Sequence, residues 1–501
     1  MRDLLIGVDV GTSAVKAVLV SADGRVMATS GQRYALTHPA PGWAEQRAED
    51  WWQALVTCVR AVTADVESGR VCALGLSTQG GTLVPVDARG RALCPAVSWM
   101  DTRAERQQAE FEARIGGARM RAITGWAMCG GLNALQILWL KQNRLEVFDA
   151  AARFLSVPGY LTFRLTGRAS VDASNAGIEQ ILDIRTGRWS ESVLELLGIS
   201  EHRLADVVPA HHRAGTLTPG AAEALGLPAP VVVAAGGHDQ YCAALGAGAS
   251  ARSDRLLATG TAWAAVSILD APPEANLSGA SISRHVTPGL WGALFSLEGG
   301  GSSLEWLRRM LAPVCVGMQP PSLGELDQLA ANCPVGAGGL RFYPYFSGAE
   351  YPEGLLKAEA GFSGLRLTHD AGHMARAVME GVACQAVWML EAFGSDPEGA
   401  LILTGGASHS ALWTGMIADI AGRTLTLPST PDAGCLGAAA LGGTAAGLYS
   451  SPGQGASILA GKRRRVEPGP DRERYAEVLA DYKAGAMRMA QGQEDKAHGA
   501  V

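Results

Sequence analysis

Apolar runs that end in glycine and small polar residues recur along this chain. Residues 4–10 are nearly all apolar, as in a strand buried on both faces. They run into Asp9-Val10-Gly11-Thr12-Ser13, and residues 15–20 resume as a second strand. Ala22-Asp23-Gly24 is a turn signal, after which residues 25–28 return as a third strand. Residues 71–76 read as a strand ending in Ser77-Thr78-Gln79-Gly80-Gly81, with 82–86 returning. Val231-Val232-Val233 leads into Ala235-Gly236-Gly237-His238-Asp239-Gln240 and then an Ala/Gly-rich run suited to a tightly packed helix. Helical spacing appears at 49–64 (Trp52, Leu55, Val56, Val59, Val62), through much of 104–200, and at 368–393 (Met374, Val378, Val382, Met389, Phe393). Residues 204–230 read as a connector with several turn signals. After about residue 250 the pattern partly repeats. A strand runs into Gly260-Thr261, a glycine turn at Gly299-Gly300-Gly301 precedes a helix near Leu304, and Leu401-Ile402-Leu403 runs into Thr404-Gly405-Gly406-Ala407. The expectation is an α/β protein with one domain over 1–247 and a second over 248–501.

Composition narrows this little. In 501 residues, 48% are hydrophobic and 18% charged, enough apolar material for large cores. The net charge of −6 gives no reason to expect nucleic acid or an anionic membrane as a partner. Nine scattered cysteines, odd in number and without a CxxC pair, suit a reducing cytoplasm. The apolar stretch from Leu4 is too short for a secretory signal and contains Asp9, and no run approaches the roughly 18 apolar residues of a membrane span. Lys462 to Arg465 reads as a solvated basic loop. Asn276-Leu277-Ser278 matches a glycosylation acceptor without a secretory context.

The chemistry gathers at the strand ends. Asp239, at the mouth of a strand, can accept a proton from a substrate hydroxyl, although Asp also favours helix caps. A turn carrying Gly11, Thr12 and Ser13 can cradle a phosphate, with Lys16 just beyond it. Strand, Gly405-Gly406, then a helix N-terminus near Ser410 is an anion- or nucleotide-binding geometry. Trp99, Asp101 and Arg103 offer a polyol one apolar face, one acceptor and one donor fork, and equally fit a surface ion pair. No P-loop, no Rossmann fingerprint and no HExxH is present. His238 and Asp239 suggest a dyad, but neighbours on a turn need not face each other.

Taken in order, these motifs resemble a known family. Asp9-x-Gly11-Thr12-Ser13, Gly42-Trp43-x-Glu45, Trp99-x-Asp101-x-Arg103, Gly237-x-Asp239, Gly260-Thr261, Gly348-x-Glu350-x-Pro352, Glu380-Gly381, Gly405-Gly406-Ala407 and Ala433-Gly434-x-Leu436-Gly437-Ala438 follow one another as in FGGY carbohydrate kinases, over about residues 3–450. The resemblance implies two ribonuclease-H-like domains of the actin/sugar-kinase/heat-shock-70 type, with a cleft between them. It implies Asp239 as catalytic base, and Asp9 with Asp239 as holders of Mg²⁺ through water. Gly11, Thr12, Ser13, Gly260, Thr261 and Gly301 would meet the phosphates of ATP. Gly405, Gly406, Ala407 and Ser410 would bind its adenosine part. Gln79, Gly80, Gly81, Trp99, Asp101, Arg103, Asp239 and Gln240 are the candidates for the sugar pocket. A homodimer is implied by resemblance alone.

The family's xylulokinases carry Met-His, and its glycerol kinases Arg-Glu, where this chain has Gly80-Gly81. Glycerol is therefore disfavoured, and the two glycines would leave room for a larger substrate. The expected activity is transfer of the γ-phosphate of MgATP to a sugar, with a pentulose such as D-xylulose first. Ribulose, fuculose, erythritol, gluconate and glycerol stay open, as does a nucleotide-driven regulatory protein on the same fold.

Overall fold

The computed structural model describes residues 2–228, 230–273, 279–312, 319–352, 355, 358–394, 398–429 and 432–498, with side chains to 491 in the last helix. Asn276-Leu277-Ser278 and Cys315 lie outside the described residues. The first sheet is built from β1 (Leu4–Val10), β2 (Ala14–Ser21), β3 (Val26–Arg33), β4 (Val71–Thr78), β5 (Arg213–Thr216), β6 (Val232–Ala234) and β7 (Gly237–His238). Its order is β5-β6-β4-β1-β2-β3, with β7 also pairing β4. The second comprises β8 (Arg255–Thr259), β9 (Trp263–Leu269), β10 (Ser281–Arg284), β11 (Trp291–Leu297), β12 (Leu401–Gly405), β13 (Leu425–Pro428) and β14 (Arg463–Val466), in the order β10-β11-β9-β8-β12-β13-β14. The two sheets share one plan. A central strand pairs antiparallel with its successor and parallel with a strand far along the chain: β1 with β2 and β4, β8 with β9 and β12. This is the two-domain, ribonuclease-H-like architecture that the family resemblance implies.

The helices that bear on the site are α1 (Ala48–Thr63), α2 (Ala173–Ile178), α3 (Asp239–Gly246), α4 (Gly301–Met310), α5 (Ala411–Ala421) and α6 (Ala433–Ala445). β4 is buried along its whole length and β1 nearly so, as a sheet covered on both faces requires. Trp51, Leu55, Val59 and Val62 of α1 share one core with β1 and β2. α6, from the far end of the chain, also packs on β1 and β4, and does so through small residues. A Cβ on Gly7 would lie 1.8 Å from the Cys435 carbonyl oxygen, and one on Gly75 1.8 Å from that of Ala438. Only glycine permits this approach. α3 lies as close to α6: a Cβ on Gly437 would stand 2.0 Å from the Cys242 carbonyl oxygen.

Two segments differ from the sequence reading. The stretch 204–230, expected as a connector, contains β5 and a helix Pro219–Leu225. The basic run at 462–465, expected as a loop, enters β14, the outer strand of the second sheet, where Arg463, Arg464 and Arg465 are exposed. Charge there keeps a free sheet edge from pairing with another chain. Among the described residues no helix is long and apolar enough to cross a membrane.

Candidate active site

β1, β4 and β7 run parallel, and their register aligns their ends. Asp9 pairs with Ser77 and Ser77 with Gly237; Val10 pairs with Thr78 and Thr78 with His238. Gly11, Gln79 and Asp239 therefore follow side by side at the carboxyl edge of the sheet, where open α/β sheets bind ligands. Asp239 is the first residue of α3; His238 takes the cap position, and no side chain caps the helix. Asp239 Oδ1 is buried without a hydrogen-bond partner, while the side chain as a whole keeps 28% of its surface. Burial pushes its carboxyl up to about 6. Asp9 Oδ1 accepts the Ser77 hydroxyl at 2.6 Å. Burial and then the charge of Asp239 raise Asp9 to about 6, against the pull of that hydrogen bond. The start of α6 comes against Asp9, a Cβ on Gly434 lying 3.1 Å from its Cγ. Lys16, opposite Asp9 on β2, pairs with Asp432 at 2.8 Å. Asp432 precedes α6 with a φ of 34°, a left-handed conformation uncommon for a side-chain-bearing residue.

The two expected phosphate turns are both built as cradles. The Tyr34 hydroxyl donates to the Gly11 carbonyl, Gln46 Nε2 to that of Thr12 at 2.6 Å, and the Tyr34 N–H to that of Ser13 at 3.2 Å. With the carbonyls held, the Thr12 and Ser13 amides make no hydrogen bond among the described residues. Thr12 Oγ1 accepts Trp99 Nε1 at 3.0 Å. In the second half, the Ser302 N–H donates to the Thr261 carbonyl at 2.9 Å, and a Cβ on Gly301 would lie 2.4 Å from the Gly260 carbonyl oxygen. Gly260, Thr261 and Gly301 are thus brought together. Gly405 has a φ of +88° and would place a Cβ 2.5 Å from the Thr259 carbonyl oxygen, so no other residue fits. Gly406 is looser, at 3.4 Å. The Ala407 N–H donates to Thr259 Oγ1 at 3.0 Å, and Ser410 Oγ accepts from Trp413 N at 3.0 Å, capping α5. Both polar groups brace the glycine turn from inside the fold.

Of the sugar-pocket candidates, Gln79 is buried, with Nε2 donating to Gln46 Oε1 at 3.0 Å and its own Oε1 unpartnered. Gln240 Oε1 and His238 Nδ1 are likewise buried without partners. Buried polar atoms are rarely left so, and a polyol with several hydroxyls would satisfy the two glutamine oxygens. Trp99 is 40% exposed, available as an apolar wall. Two expectations are corrected. Asp101 and Arg103 are buried and spent on each other: Arg103 bonds both Asp101 oxygens at 2.8 Å and Glu45 at 2.8 Å, lies 3.7 Å over the Trp43 ring, and Asp101 accepts the Ala44 N–H at 2.6 Å. They lock the loop that carries Trp99. Gly80 and Gly81 do not leave room: a Cβ on Gly80 would meet Ile178 at 2.5 Å and the His238 ring at 3.0 Å, and Gly81 has a φ of +69° with Leu132 at 2.5 Å.

Several supports went unread in the sequence. Asp172 caps α2, accepting from Ser174 N at 2.9 Å and Asn175 N at 3.1 Å, and Ser174 Oγ accepts the His238 N–H at 3.0 Å. Asp-x-Ser-Asn is a helix-start signal that could have been read. Tyr34 and Gln46 carry no such signal, since only the folded sheet brings them behind the turn. Away from the cleft, Cys333, Asp370 and His373 offer ligand atoms within 4.8 Å of one another, a geometry accounted for by the Asp370/His373 capping box.

Residues 4–246 match the N-terminal domain, and residues 259–446 the C-terminal domain, of the FGGY family of carbohydrate kinases. The chain belongs to this family. It is 31% identical to the xylulose kinase of Escherichia coli (strain K12), over 88% of this chain and 90% of that one. The gluconokinase of Bacillus subtilis (strain 168) is 25% identical over 98% and 97% of the two chains. A solved xyloylose kinase structure from Brucella ovis superposes with a TM-score of 0.86 at 29% identity, covering 96% of this chain and 98% of that one. As an FGGY member the chain is a carbohydrate kinase, a phosphotransferase with an alcohol acceptor, for which the family implies ATP and a sugar as substrates.

Proposed function

We propose that this kinase transfers the γ-phosphate of MgATP to a hydroxyl of a pentulose, with D-xylulose the leading substrate. The observation that carries this is Asp239: a carboxylate at the strand ends that keeps 28% of its side-chain surface open, with its pKa raised to about 6. Such a group is ionised at neutral pH yet basic enough to take the hydroxyl proton as phosphoryl transfer proceeds. The Thr12 and Ser13 amides and the Gly260–Thr261 turn hold the phosphates, and Gly405–Gly406 receive the adenosine end. Gln79, Trp99 and Gln240 orient the sugar. The xylulose kinases among the relatives support the pentulose.

The residues present suit a magnesium ion. Asp9 and Asp239 are two partly buried carboxylates, the charge of Asp239 adds to the cost of ionising Asp9, and a divalent cation would relieve it. Asp9 and Asp239 would hold it through water. When bound, it neutralises charge on the phosphates. Free cysteines among the described residues fit a reducing, cytoplasmic setting.

A second reading, a kinase for gluconate or another polyol, is favoured by the gluconokinase relative. The test is ADP release from MgATP across pentuloses, hexuloses, pentitols, gluconate and glycerol. The expected result is the highest kcat/KM with D-xylulose. A higher value with gluconate would move the assignment to the second reading. Asp239→Asn should cost about 10² to 10⁴ in turnover while nucleotide binding stays near wild type. Turnover within about threefold of wild type, far short of that range, would remove Asp239 from the role of base.

A further inference from the structure

His238 sits beside the proposed base with no other assigned duty. Its ring is buried, and its Nε2 lies 3.3 Å from Asp239 Oδ1. The charge of Asp172 also acts on the ring. Tyr241 lies against it with ring centroids 5.6 Å apart, and Tyr241 is in turn held by His285 at 5.3 Å. Gly80 lies against its Cδ2 edge, close enough that a Cβ there would come to 3.0 Å. The backbone at His238 is pinned by the 3.0 Å bond to Ser174, whose helix is capped by Asp172. His238 Nδ1 and Asp239 Oδ1 are both buried and without a hydrogen-bond partner. The 3.3 Å approach of Nε2 to Oδ1 is thus close but not aligned as a hydrogen bond in the ligand-free protein.

We infer that His238 is a positioning residue: a small side-chain rotation turns the 3.3 Å approach into an Nε2–H donation to Asp239 Oδ1, which fixes the plane of the carboxylate and leaves Oδ2 as the oxygen that takes the sugar's proton. An ionised carboxylate only accepts, so the nitrogen facing it must carry hydrogen, which settles the tautomer. A carboxylate on a single bond otherwise rotates. Holding it in one orientation removes that freedom before the reaction begins, a gain seen in turnover and not in sugar binding. Gly80 gains a reason at the same time. It is small to admit the imidazole, which with Ile178 takes the space that Gly80 was expected to leave for a sugar. This inference rests on Asp239 acting as base.

Two isosteric substitutions separate positioning from packing. Glutamine places an amide N–H near where Nε2 lies, whereas asparagine places one near Nδ1. His238→Asn should lower kcat by about 10- to 100-fold, as for a lost hydrogen bond to a charged group, with the sugar KM within about threefold. His238→Gln should restore kcat to within about threefold of wild type. A purely structural ring would make the two variants equally poor, and a ring that reads the sugar would raise KM at constant kcat; either result overturns the inference. Nitrogen-15 spectra of the histidine-labelled, unmutated protein give a reading that does not depend on turnover. The His238 signals, assigned by their loss in either variant, should report hydrogen on Nε2 and a lone pair on Nδ1. Hydrogen on Nδ1 with Nε2 bare would sink the inference, even if a variant fails to fold. If Asp239→Asn remains active while the tautomer is as expected, it is the assignment of the base that fails, and the hydrogen bond stands as a structural contact.

Discussion

The proposed roles of Asp9 and Asp239 require both to be ionised in surroundings that favour their neutral forms. Both carboxyls are raised from the usual carboxylate range to about 6, chiefly by burial. For the reaction this sets a direction. The base must be ionised, so kcat/KM should fall as pH drops through about 6, as an apparent value of the coupled pair. A flat profile down to pH 4.5 would exclude a raised carboxyl as the base. For stability the direction is opposite. A pKa raised in the folded state means the native protein binds more protons than the unfolded chain, so the contribution is fully present below about 4 and is lost as pH rises past 6. Asp9→Asn keeps an acceptor for Ser77 and removes the charge. The ligand-free variant should therefore melt higher than wild type at pH 7, lose that advantage at pH 4, and be severely impaired in turnover. A lower melting temperature at pH 7 would mean that Asp9 contributes more through contacts than it costs through its charge.

The glycine turns show how an element constrains its residues. Gly405 and Gly406 are adjacent in sequence and unlike in space. Gly405 combines a φ of +88° with a 2.5 Å approach to the Thr259 carbonyl oxygen, while Gly406 lies at 3.4 Å with ordinary φ. Gly405→Val should lower the melting temperature and weaken binding of an ATP analogue well beyond what Gly406→Val does, with sugar affinity following neither. Melting curves and calorimetric titrations decide it; a selective loss of sugar affinity would contradict the nucleotide assignment. The turn itself was legible, because an apolar strand followed by two glycines and a helix start is a local pattern. So were β1, β4, β8 and β12, whose buried faces make long apolar runs. What could not be read depended on partners distant in sequence. β5 is a short edge strand without a hydrophobic run of its own. Asp101 and Arg103 look like binding groups until Glu45, Ala44 and Trp43 are folded around them. Gly80 and Gly81 look like empty space until Ile178, His238 and Leu132 fill it. The pairing of His238 with Asp239 turns on side-chain rotation, which adjacency does not fix.

The order of domains along the sequence also hides how the molecule is held together. A boundary near residue 247 divides the chain into two stretches, but one apolar cluster crosses it. Leu5, Val18 and Ala73 of the first sheet pack with Tyr241, Cys242 and Leu245 of α3, with Cys435, Leu436, Ala439 and Leu441 of α6, and with Leu256, Val266 and Ile402 of the second sheet. α6 covers β1 and β4 so closely that Gly7 and Gly75 have no room for a Cβ. Without it, the first sheet would present a wide apolar face to water, a cost that a marginally stable domain does not readily absorb. We therefore expect residues 1–247, produced alone, to be insoluble or to lack a cooperative melting transition. Co-expression with residues 248–501 should yield a soluble complex of the two pieces. The same reasoning predicts that unfolding of the intact ligand-free chain in a calorimeter is a single transition, because neither half keeps its share of the common core when the other melts. A monomeric 1–247 fragment with a sharp melting curve, or two well-separated transitions in the intact chain, would show that α6 is a lid on a self-sufficient domain. In that event Gly7→Ala, which forces α6 outward through its 1.8 Å contact, should leave the fragment unaffected and destabilise only the whole chain.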